Sequence, residues 1–68
     1  MKAIEKFREN IRIITHDFVL KGKRKTEIMD GLLMAIQKVA EADIEKDVKE
    51  IILTTLKAEY FDGENNKW

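Results

Sequence analysis

The residues from 28 to 40, IMDGLLMAIQKVA, constrain the fold most strongly, because nine of these thirteen are apolar and recur at helical spacing. On an α-helix, eight of the nine fall within an arc of roughly 160°. An apolar arc of that width is typical of a helix that two neighbours cover, whereas the ninth residue, Met34, falls on the opposite, polar side. The segment therefore predicts the central helix of a small bundle, over residues 27–41, with Thr26 as its N-cap.

The preceding segment predicts a first helix over residues 3–20. Its apolar residues recur three and four positions apart and form a narrow stripe of about 80° on one side of the helix. They are Ile4, Phe7, Ile11, Ile14 and Phe18. Gly22, within the sequence KGKRK, is a suitable C-cap because glycine adopts the left-handed conformation readily. The short loop predicts that the first two helices are antiparallel neighbours.

A third helix is predicted over residues 44–61, with Asp43 as its N-cap. Its apolar stripe widens in the second half, at Leu53 and Tyr60, which indicates additional cover there from the first helix or from a second chain. One alternative is a single continuous helix over residues 28–60, since neither glycine nor proline separates the second helix from the third.

The length of the chain predicts a single domain, and the three predicted helices make it an all-α, three-helix bundle over residues 1–63. The domain is predicted to end at the Asp62-Gly63 pair. The remaining residues, 64–68, are predicted to form a polar mobile tail. A domain this small buries only about 60% of the surface that its unfolded chain exposes. Cysteine is absent from the chain, so disulfides cannot add stability, and we expect unusually good packing or completion of the core in a helical homodimer.

The residue types needed for most enzyme chemistry are missing. The chain contains neither serine nor cysteine, and its single histidine, His16, points about 100° away from the adjacent Asp17 on a helix. Asp43, Glu45 and Asp47 have the spacing of the first calcium ligands in an EF-hand loop, but Val48 replaces the required glycine. We expect no catalysis, no cofactor and no metal. No apolar run approaches the ~20 residues of a membrane span, and a cytoplasmic location is expected.

The charge of the chain is uneven although its net charge is zero. Residues 1–25 carry eight Lys/Arg and three Asp/Glu, a net charge of +5, and residues 26–68 carry the opposite charge, with five Lys/Arg and ten Asp/Glu. A basic first segment suits an anionic partner. The candidate anion or nucleic-acid contacts are Arg8, Arg12, Lys21, Lys23, Arg24 and Lys25. The third helix is rich in Glu and Asp, which disfavours its use as a DNA-reading helix.

Several large apolar residues lie outside the predicted seams between helices. Ile13 and Leu20 fall on the far side of the first helix, and Met34 falls on the polar side of the second. Together with Leu53 and Tyr60, they are the candidate protein-interface residues. The predicted function is a small non-catalytic interaction module or regulator that binds another protein chain, either its own copy or a heterologous protein. The alternative is a nucleic-acid-associated regulatory protein that uses the basic segment Lys21–Lys25.

Overall fold

A computed structural model describes the backbone of residues 2–68 and the side chains of residues 5–68. It contains three α-helices: α1 (Lys2–Leu20), α2 (Lys25–Glu41) and α3 (Lys46–Glu64). The described residues contain no β-strand, so the predicted all-α, three-helix fold is confirmed. The predicted core contact of Ile4 lies outside the described side chains. None of the three helices combines the length and apolar composition needed to cross a lipid bilayer.

The helices run up, down and up. The α1 and α3 helices are parallel, because Arg8 lies beside Ile51, near the start of α3, whereas Arg12 forms an ion pair with Asp62, near its end. Short connections make α2 antiparallel to both. The most extensive contact is between α2 and α3, and the contact between α1 and α2 is slight. This unequal packing leaves α1 and α2 separated along one face of the bundle.

The core is small and centres on three buried apolar side chains. They are Ile28 and Leu32 from α2 and Leu56 from α3. The side chains packed around them are only partly buried; these are Ile11, Phe18, Ala35, Ile36, Val39, Ile52, Tyr60 and Trp68. No described side chain is completely shielded from solvent. The predicted core face of residues 28–40 is confirmed for Ile28 and Leu32, which are buried, and is wrong for Leu33, which is 39% exposed.

Polar side chains occupy part of the predicted apolar face of α3. Thr55 and Glu59 are buried, and on α1 Thr15 is buried as well. Each threonine hydroxyl donates a hydrogen bond to the carbonyl four residues earlier in its own helix: Thr15 to Ile11 at 3.0 Å, and Thr55 to Ile51 at 2.9 Å. This bond satisfies the hydroxyl, so threonine enters the interior without an unpaired polar group.

Both predicted N-caps are wrong. The α2 helix begins at Lys25, with Arg24 in an extended conformation as its N-cap, so Thr26 lies inside the first turn. The α3 helix begins at Lys46, with Glu45 as its N-cap in place of Asp43. Neither N-cap residue makes a side-chain hydrogen bond to the helix. The helix starts are exposed, so water can satisfy the free amides, and the geometry of the preceding turns decides where each helix begins.

The connection between α2 and α3 contains a sharp break. Ala42 has φ −71° and ψ 144°, an extended conformation that ends α2 and rules out the continuous helix over residues 28–60. The chain uses residues 42–45 to reverse direction. The Lys49 ammonium crosses this turn and donates a hydrogen bond to the carbonyl of Ala40 at 3.1 Å, which satisfies one of the free carbonyls at the end of α2.

The end of α1 follows the prediction. Gly22 has φ 81°, and the amides of Gly22 and Lys23 donate to the carbonyls of Val19 and Phe18, at 3.1 and 3.0 Å. These two bonds define a Schellman motif, which needs a left-handed residue at the position that Gly22 occupies. Glycine meets that requirement without steric penalty.

The end of α3 differs from the prediction. The helix continues through Gly63 to Glu64, and the left-handed residue is Asn66, with φ 59°. The amides of Asn66 and Lys67 donate to the carbonyls of Gly63 and Asp62, at 3.1 and 2.8 Å, which forms a second Schellman motif. Asparagine is one of the few residues that tolerate this conformation, and it ends the helix here.

Gly63 has a different role, because the indole ring of Trp68 lies directly over it. A Cβ atom at position 63 would overlap the Cε2, Cζ2 and Cη2 atoms of that ring. Trp68 is half-buried, and its Nε1 atom is shielded from solvent without a hydrogen-bond partner in the described structure. Lys25 also reaches this turn and donates to the Asn66 side chain at 2.5 Å. The mobility expected of residues 64–68 stays a prediction.

Candidate protein-interaction surface

An apolar groove of about 390 Å³ runs between α1 and α2. It arises from the separation of the two helices: Ile11, Ile14 and Phe18 of α1 form one wall, and Ile28 and Ala35 belong to the facing wall of α2. Leu32 and Leu56 of the core form its floor. Solvent therefore reaches the edge of the core through this groove, which is the arrangement that an amphipathic helix of another protein fills.

Ile14 and Gly31 both line the groove, the first from α1 and the second from α2. Ile14 is 51% exposed although it belongs to the predicted core stripe of α1. At Gly31 an added Cβ would meet no atom within 4 Å, so nothing in the described fold requires a glycine there. A glycine inside a helix costs about 1 kcal/mol relative to alanine. The monomer thus has a protruding side chain and an unfilled position on the same face.

Sequence reasoning missed this groove because it depends on how far α1 and α2 separate. Two local signals were present. Gly31 is a glycine in the middle of a strongly predicted helix, which often indicates a packing or functional requirement. Ile14 also falls at the edge of its stripe, toward α2. Neither signal shows on its own that the two residues share a surface.

The candidate protein-interface residues fall into two groups. Ile13, Leu20 and Met34 are exposed, to 58%, 72% and 61% of their surface. Leu53 and Tyr60 are half-buried, and Tyr60 packs against the core. The structure does not bring Ile13 into the groove: it lies at the rim of a separate cleft between α1 and the end of α3. Whether any of the five contacts a partner stays a prediction.

The candidate anion-binding residues are dispersed, and most have a partner within the chain. Lys21 forms an ion pair with Asp17 at 2.9 Å, and the Lys23 ammonium lies 5.3 Å from the centre of the Phe18 ring. Lys25 bonds Asn66, and Arg12 pairs with Asp62 at 3.6 Å. No hydrogen bond or ion pair of Arg8 or Arg24 is found among the described side chains. Such exposed ion pairs are weak. The basic residues themselves are distributed over two sides of the bundle.

A second cleft, of about 530 Å³, lies between α1 and the C-terminal end of α3. Glu59 is buried in its wall, and the exposed His16 and the ring of Trp68 also line it. No hydrogen bond of His16 or Glu59 is found among the described side chains, so they do not form an oriented acid–base pair. In residues 5–68 no three His, Asp or Glu side chains cluster as metal ligands would.

Comparison with known proteins gives no relative that would assign a function to this surface. No family model, curated protein or solved structure matches the chain.

Proposed function

We propose that the chain is a small non-catalytic interaction module that binds another protein chain through the α1–α2 groove. The observation that carries the proposal is the groove itself: apolar side chains of two adjacent helices line it, and Ile14 among them is 51% exposed. Burying apolar surface is the main driving force of protein association, at roughly 25 cal/mol per Å². A cytoplasmic location belongs to the same proposal.

The lining of the groove suits a helix of a protein partner. Here Lys23 and Glu27 are the only charged residues of the lining, whereas the remaining positions are apolar, small or threonine. An elongated groove between two helices matches the helix-in-groove mode, in which an amphipathic helix inserts side chains at helical spacing.

The nucleic-acid alternative has weaker support. Phosphate binding by a protein needs several free Lys or Arg side chains along one surface. In this fold Arg8 and Arg12 face the α1–α3 clefts, and residues 23–25 lie at the end of the bundle. The aromatic rings beside them are not free for base stacking, since Phe18 is half-buried beneath Lys23 and the half-buried Trp68 lies over Gly63.

A photo-crosslinking amino acid at position 14 tests the proposal in the cell that produces the protein. Ile14 is exposed in the groove, so a benzophenone side chain there would be shielded by a bound protein and would form a covalent protein adduct. The matched control has the same amino acid at Gln37, which is exposed on the opposite side of α2.

The expected result is a discrete protein adduct from position 14 that is absent from position 37. A Gly31→Glu substitution in the same chain should abolish the adduct, because it places a carboxylate in the groove. Equal labelling from both positions, no adduct at all, or an adduct that survives Gly31→Glu would contradict binding at this surface.

A further inference from the structure

The molecule exposes more surface than a chain of its mass requires. Its accessible surface is 5387 Å². A compact monomeric protein of 8.0 kDa exposes roughly 4,450 Å². The excess is roughly 900 Å², close to the ≈800 Å² that each partner buries in an interface of standard size. A single additional interface of ordinary dimensions would therefore bring the surface of this chain to the value typical of its mass.

The face formed by α1 and α2 is large enough to supply most of such an interface. The 17 residues of α2 extend about 26 Å, and two helices side by side are about 20 Å wide. The two helices are antiparallel, so a second antiparallel pair laid on this face forms a four-helix arrangement in which every neighbour is antiparallel. Such a bundle has a closed apolar interior built from the groove residues of both pairs.

We infer that the occupant of the groove is a second copy of this chain, related by a two-fold axis that runs along the helices. This inference rests on the proposed function and names its partner. The axis places α1 of one copy opposite α2 of the other at the same height, so Ile14 of each chain fills the space at Gly31 of the other. The protruding residue and the unfilled position lie on one surface, as self-association requires.

The arrangement explains the size of the core. The dimer covers the half-buried Ile11 and Phe18 on the wall of each groove, and it buries Ile14 without any change within the monomer. The uneven charge of the chain is not needed for it, because the basic N-terminal half already contacts the acidic C-terminal half of its own chain through Arg12 and Asp62. The association is expected to depend only slightly on salt.

Mass measurement of the purified full chain, by sedimentation or light scattering from about 5 to about 500 µM, tests the association. The mass is expected to rise from 8.0 kDa to about twice that value, with a melting temperature that rises with concentration. Gly31→Glu should weaken association at least about 100-fold while the helical circular-dichroism signal is retained, since the position is open in the monomer. The matched control Gln37→Glu adds the same charge to the exposed side of α2 and should leave association unchanged.

Cysteine crosslinking tests the geometry, because the natural chain has no cysteine. An Ile14→Cys chain mixed with a Gly31→Cys chain should form a disulfide-linked dimer of the two variants, which requires Cα atoms about 4.4–6.8 Å apart. Neither variant alone should crosslink efficiently, and Ile14→Cys mixed with Gln37→Cys should not. Efficient crosslinking of Ile14→Cys with itself would place α1 against α1 and overturn the proposed axis.

The outcomes separate this inference from the proposed function. A mass of 8.0 kDa at every concentration overturns the second copy as occupant, and so does association that Gly31→Glu leaves intact. If the chain is monomeric but a different protein is crosslinked at position 14 in the cell, the proposed function stands and that protein is the partner. A monomeric chain without any adduct at position 14 would overturn both.

Discussion

A Gly63→Ala substitution reports on the contact between α3 and the end of the chain. In the structure, a methyl group at position 63 would occupy the space of the Trp68 ring. The backbone of α3 is helical there, so alanine is favoured by its helix propensity and opposed only by the ring. Trp68 lies beyond the end of α3, so its ring can move away from the helix. The substitution is therefore expected to release the ring without breaking the helix.

The magnitude follows from what the ring contributes. A fully buried aromatic side chain removes 150–250 Å² from water, so a half-buried ring removes roughly 100 Å², equivalent to about 2.5 kcal/mol. Ordering the last residues and shielding the unpaired Nε1 atom oppose this gain, which leaves about 1 kcal/mol of net stabilisation. Replacing glycine by alanine inside a helix raises the free energy of unfolding by about 0.5–1 kcal/mol. Gly63→Ala alone should thus change the stability little.

A double-mutant cycle with Trp68→Ala makes the contact measurable. In the Trp68→Ala chain no ring opposes the methyl group, so Gly63→Ala should stabilise the domain by about 0.5–1 kcal/mol. The two substitutions are expected to couple by about 1 kcal/mol, the net contribution of the ring, measured by urea unfolding followed by circular dichroism. As Trp68 is the only tryptophan, its fluorescence should shift to the red in the Gly63→Ala chain. Equal stabilisation in both backgrounds, without a red shift, would refute the contact and favour a mobile tail.

Three further predictions address the core, the groove and the basic loop. Leu32→Ala and Leu56→Ala should each lower the free energy of unfolding by about 2–5 kcal/mol, and wild-type melting of either variant would place the core elsewhere. Gly31→Ala, measured by urea unfolding at low protein concentration, should stabilise the chain by up to about 1 kcal/mol; a loss of stability would show that the position is filled within the monomer. Glutamine at positions 23–25 should leave the circular-dichroism spectrum unchanged, and the wild-type chain should not retard DNA or RNA at about 50 mM salt. Retardation that the triple substitution removes would support the nucleic-acid alternative.

The sequence by itself determined the helical class, the number of helices and the left-handed end of α1. These features depend on residues within a few positions of one another. Apolar residues at helical spacing identify a helix face, and Gly22 satisfies a turn that involves only its immediate neighbours. For the same reason the 28–40 segment could be recognised as the source of Ile28 and Leu32 in the core.

Only the tertiary structure decided which apolar residues are covered. Ile14 and Ile28 both belong to predicted apolar faces, yet Ile28 is buried and Ile14 is half exposed to solvent, because α2 packs on α3 and separates from α1. Gly63 was predicted to end α3 and instead receives the ring of Trp68, a contact that the local pattern does not encode. Helix formation is set by neighbours along the chain, whereas burial is set by the distances between helices. The groove that carries the proposed function depends on the distance between α1 and α2, so the sequence pattern alone did not predict it.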